Sequence, residues 1–67
     1  MTFDECIDVL RQEIRVLSAI ERKELEETFD SKEGNRIFMK LEPYEQSGRL
    51  SSPEFKEALK SLYWLSR

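Results

Sequence analysis

Between Thr2 and Ile20 apolar residues recur at helical spacing. At ~100° of rotation per residue, Phe3, Cys6, Ile7, Leu10, Ile14 and Leu17 share one stripe roughly 100° wide. Such a stripe predicts an amphipathic helix with its apolar side turned to a core. Val9, Val16 and Ile20 make a second, narrower stripe about 120° round the same cylinder, so a continuous helix here has two surfaces to bury. Thr2 followed by Glu5 matches a capping box, in which the hydroxyl accepts from the Glu5 amide and the carboxylate accepts from the Thr2 amide. The helix should therefore start at Phe3, with Asp4 and Glu5 placed where the helix dipole favours negative charge. Asp8, Arg11, Gln12 and Arg15 supply its solvated side.

Ser18 with Glu21 repeats the capping pattern and offers a second helix start. Leu25 and Phe29 nevertheless return near the main stripe, while Glu21 and Glu24 fall in its middle. We read one long or slightly bent helix reaching about Phe29, with a break near Ser18 as the alternative. Asp30 to Gly34 are turn residues. Helical spacing resumes from about Asn35 with Ile37, Phe38, Leu41 and Tyr44, leaving Met39 off the main face. Pro43 removes a bond to Met39 and disfavours helical geometry at Glu42, which predicts a kink or a stop near Leu41.

Ser51 with Glu54 is a third capping-box match, with Pro53 in the first turn and Leu50 placed to staple onto Phe55. Phe55, Ala58, Leu59 and Leu62 form the apolar face of this last helix, with Tyr63 and Leu65 on its flanks. Trp64 lies about 180° from Phe55 on the same wheel. The elements together predict an all-α fold, a single domain over residues 1–67. It is a small helical bundle in which a long N-terminal helix packs antiparallel against two shorter helices.

Composition narrows the function. A chain of 67 residues is near the lower limit for folding without disulfides, metal or a partner, so an interface that adds burial is expected. The net charge of −3, from 14 acidic and 11 basic residues, argues against non-specific attraction to nucleic acid or to an anionic membrane. Cys6 is the single cysteine, which fits a reducing cytoplasm. Asp4 and Glu5 stand where a signal peptide would carry positive charge, and no apolar run is long enough to span a bilayer.

Candidate chemistry is sparse. Without histidine there is no side chain poised near neutral pH, and Cys6 sits on the apolar stripe as a structural thiol, so neither an enzyme nor a cofactor is expected. From Pro43 to Phe55, Gly48 falls at the sixth position, Leu50 at the eighth and Glu54 at the twelfth, so the segment resembles an EF-hand calcium loop. Pro43 replaces the first aspartate of that pattern, however, and Glu45 and Ser47 make a poor third and fifth pair, leaving the oxygen shell incomplete. The alternative to a protein-binding role is a helix-turn-helix touching nucleic acid through Arg49, Lys56, Lys60 and Arg67, although Glu54 and Glu57 share that helix. The expected function is a small cytoplasmic protein-interaction module: an inhibitor, adaptor, immunity- or chaperone-like regulator. Its interface residues are Val9, Val16, Ile20, Tyr63 and Trp64, and its simplest partner is a second copy bound through the Val9, Val16, Ile20 stripe.

Overall fold

Thr2 opens the first helix as its sequence predicts. The Glu5 amide donates to Thr2 Oγ1 at 3.2 Å and the Thr2 amide donates to Glu5 Oε1 at 2.8 Å, closing the capping box. The computed structural model describes residues 1–66. Among these there are four α-helices and no strand: α1 Phe3–Glu13, α2 Ala19–Asp30, α3 Gly34–Gln46 and α4 Pro53–Leu65, with a 3-10 turn over Ile14–Val16. The all-α bundle is as expected.

The continuous helix to Phe29 is not. After the 3-10 turn, Leu17 and Ser18 are extended, with ψ of 167° and 161°, and Ser18 caps a new helix. The Glu21 amide donates to Ser18 Oγ at 3.3 Å, and the Ser18 amide donates to Glu21 Oε1 at 3.2 Å. The reason lies in the core. A helix running on past Leu17 carries Glu21 and Glu24 inward, whereas the break resets the phase so that Leu25, Thr28 and Phe29 are buried instead. The second stripe dissolves with the long helix. Val9 packs half-buried against the core, while Val16 and Ile20, on either side of the break, stay exposed.

Helix α3 runs through Pro43 to Gln46 with neither a stop near Leu41 nor an early end. The proline sits in the last turns. It deprives only the Met39 carbonyl of an intrahelical donor, and Met39 is on the solvent side. The helix closes in a Schellman arrangement: the Gly48 amide donates to the Glu45 carbonyl at 3.1 Å and the Arg49 amide to the Tyr44 carbonyl at 3.0 Å. Gly48 takes the left-handed φ of 80° that this ending requires. Carrying the helix past Pro43 brings Tyr44 against the core.

Helix α4 is capped one residue later than the sequence pattern suggests. Ser52, not Ser51, accepts the Phe55 amide at 3.1 Å, with Pro53 in the first helical position. The same Ser52 hydroxyl donates to Glu13 Oε1 and so fastens the start of α4 to the end of α1. Leu50 and Phe55 are both buried.

Helix α4 packs against both α1 and α3, and α2 packs on α3. Arg11 closes the remaining side, pairing with Glu26 at 3.2 Å and Asp30 at 3.3 Å on α2. At the core lie Leu10, Ile14, Leu25, Phe29, Ile37, Leu41, Phe55 and Leu62, with Cys6 buried on α1. No buried side-chain polar atom among the described residues lacks a hydrogen-bond partner.

Candidate functional site

Phe38 follows the core residue Ile37, and Tyr63 follows the core residue Leu62. Each is therefore turned ~100° off the buried face of its helix. Because α3 and α4 are neighbours, these two flanks meet: the rings of Phe38 and Tyr63 lie 5.2 Å apart at 47°. Tyr63 in turn meets Trp64 edge-on, with centroids 5.9 Å apart at 76°. Tyr63 is 44% and Trp64 58% exposed, so this aromatic series reaches the surface. It borders a shallow groove of about 260 Å³, lined by Phe38, Leu59 and Tyr63 together with Glu45, Lys56 and Lys60. Among the described residues, Glu45, Lys56 and Lys60 form no ion pair with one another.

The interface residues anticipated from sequence fall into two patches. The Ser52 to Glu13 bond sets the α1–α2 junction, with Val16 and Ile20, beside the start of α4. Tyr63 and Trp64 lie at the far end of α4, roughly 16 Å along the helix at 1.5 Å per residue. Val9 belongs to neither patch, being packed against the core.

The four cations anticipated for nucleic acid are likewise divided. Lys56 and Lys60 sit one turn apart on the exposed side of α4. Arg49 is committed elsewhere. Its Nη1 donates to Glu21 Oε2 at 2.5 Å and its Nη2 to Glu21 Oε1 at 2.7 Å, while the guanidinium stands 5.2 Å from the centre of the Tyr44 ring. This forked pairing, aided by the Ser18 amide, lowers the Glu21 pKa to about 2, and the same bonds raise that of Arg49. Arg49 thus ties the α3–α4 connection to the cap of α2. Arg67 lies outside the described residues.

The segment resembling a calcium loop is not a loop at its start, since Pro43 to Gln46 finish α3, and Glu54 lies in the first turn of α4. No cluster of three or more cysteine or carboxylate side chains suited to a metal occurs among the described residues. Between α2 and α3 a second depression of about 420 Å³ is walled by Glu24, Lys40, Tyr44 and Arg49, but its charges are matched internally, Lys40 Nζ lying 3.0 Å from Glu24 Oε1. Burial raises the pKa of the Cys6 thiol, which keeps it protonated. What the α3–α4 face can do chemically is bury an apolar side chain between aromatic rings while charges at the rim fix its orientation.

Sequence reasoning placed Phe38 with the core spacing of Ile37 and Leu41, and it does pack partly buried against the core, but its contact with Tyr63 at the groove was missed. The available signal was its position one residue after Ile37, which turns it toward a flank. No helix among the described residues is long and apolar enough to cross a membrane. No family model matches the chain, and comparison with curated proteins and with solved structures gave no match.

Proposed function

We propose that the protein is a small non-catalytic recognition module, an inhibitor, adaptor, immunity- or chaperone-like regulator, that acts by covering the surface of a partner protein with its α3–α4 face. The observation that carries this reading is the aromatic series Phe38, Tyr63 and Trp64 standing beside an apolar groove. Aromatic side chains on rigid helices lose little conformational freedom on binding, and each can contribute ~2 kcal/mol or more when a partner desolvates it. Exposed Val16 and Ile20 form a smaller patch without aromatic anchors. A cytoplasmic setting accords with the lone, buried Cys6.

The test is site-specific photo-crosslinking in the source cell. A photoreactive phenylalanine analogue replaces Trp64 in one variant and the exposed Lys23 of α2 in another. Discrete protein adducts from position 64 and none from position 23 support the reading. Matching adduct patterns from both positions refute it.

A further inference from the structure

The charges along the α3–α4 groove are arranged so that the face complements itself. Glu42 and Glu45 stand on the α3 side and Lys56 and Lys60 on the α4 side, and among the described residues none of the four forms an ion pair. The helices run in opposite directions past the groove. At one end Phe38 meets Tyr63, and at the other Glu45 and Lys56 line the same depression.

We propose that the occupant of this face is a second copy of the chain, docked about a two-fold axis that runs along the groove. The inference rests on the reading that the α3–α4 face is the recognition surface, and it names the partner. A two-fold axis in that direction lays each α3 across the α4 of its partner without shifting residues along the groove. Glu45 then faces the partner's Lys56, Glu42, about one turn away, faces the partner's Lys60, and Phe38 faces the partner's Tyr63. Two acidic walls meet two basic walls, and four rings come together at one end of the groove. A two-fold axis across the groove instead sets acid on acid and base on base, so charge selects one docking direction. A standard interface takes ~800 Å² from each partner, roughly a sixth of the 4595 Å² that the described chain exposes. A face made of two adjacent helices is of that order.

The experiment is light scattering on size-separated samples from micromolar to millimolar concentration, using three proteins. These are the natural chain, the variant K56E/K60E with both walls acidic, and the variant E42K/E45K with both walls basic. All four positions lie outside the buried core, and circular dichroism checks each fold, with the facing single changes K56E and E45K replacing both double variants if either does not fold. The natural chain should dimerise, more weakly as salt rises, and each variant alone should be a monomer. An equal mixture of the two variants should dimerise again, because acid then faces base at every contact, with natural signs at two and exchanged signs at the other two. A natural chain that stays monomeric throughout overturns the second-copy proposal and leaves the aromatic face to a different protein. A natural dimer unaffected by either reversal overturns both the proposal and the assignment of recognition to α3–α4.

Discussion

Replacing Ser52 by alanine removes two interactions at once. The Phe55 amide, held at 3.1 Å by the Ser52 hydroxyl, loses its acceptor, and Glu13 on α1 loses the donor that joins it to the start of α4. Loss of an N-cap costs ~1 kcal/mol, and loss of a partly buried hydrogen bond to a carboxylate about the same again. The sum, about 2 kcal/mol, is a large share of the roughly 3–10 kcal/mol expected for a chain of this size. For so small a domain each kcal/mol moves the melting temperature by ~4–8 °C, so Ser52→Ala should lower it by about 10 °C. Ser51 is the control, since the sequence pattern alone names it as the cap and the structure leaves its side chain exposed. Ser51→Ala should change stability by less than ~0.5 kcal/mol. Thermal unfolding followed by circular dichroism at 222 nm, roughly the helix minimum, reads both variants side by side. A larger loss from Ser51→Ala than from Ser52→Ala refutes the capping register and, with it, the α1–α4 fastening.

Glu21 has a folded pKa of about 2 against an ordinary 4.5, so the stability it adds is complete above pH 4.5 and is lost as pH falls toward 2. In urea titrations across that window Glu21→Gln should flatten the pH dependence, and an unchanged slope would count against the Arg49 clasp. A Cβ at Gly34 would collide with Ser66 Oγ, so Gly34→Ala should displace the Ser66 hydroxyl from the Leu62 carbonyl. A double-mutant cycle with Ser66→Gly should return a coupling of ~1 kcal/mol, and additive effects would deny the contact. Lys32 and Gly48 both have positive φ, 57° and 80°. Lys32→Gly should stabilise by ~0.5 kcal/mol and Gly48→Ala should destabilise by ~1 kcal/mol, and chemical-denaturation midpoints moving in the same direction for both would contradict the two helix endings.

The buried faces of the helices were legible because periodicity is local: Cys6, Ile7 and Leu10, then Ile37 and Leu41, then Phe55, Ala58, Leu59 and Leu62 are buried where spacing places them. Choices between adjacent alternatives were not. Ser18 offered a start, but what distinguishes it from a continuous helix is the cost of burying Glu21 and Glu24, together with an Arg49 partner 28 residues beyond Glu21. Ser51 and Ser52 are alike as local caps, and the second is selected by Glu13, 39 residues away. Pro43 carries a local penalty that favours ending the helix, yet the gain from seating Tyr44 and closing on Gly48 outweighs it. At the candidate surface, the helical wheel turned Tyr63 to a flank and Trp64 away from Phe55, but whether Trp64 was covered by the bundle was not legible. Nor was the pairing of Tyr63 with Phe38, because it depends on how two helices meet. The Val9, Val16, Ile20 stripe is broken up for the converse reason: it assumed one cylinder where the chain makes two, although Val16 and Ile20 stay exposed.

The most direct test of the α3–α4 face as the recognition surface is the emission of Trp64, the only tryptophan, along a dilution series whose mass is followed on the same samples. Emission that shifts to shorter wavelength and resists acrylamide quenching in step with dimer formation is the result this account expects. A mass that doubles while Trp64 keeps the emission and quenching of the monomer would contradict it.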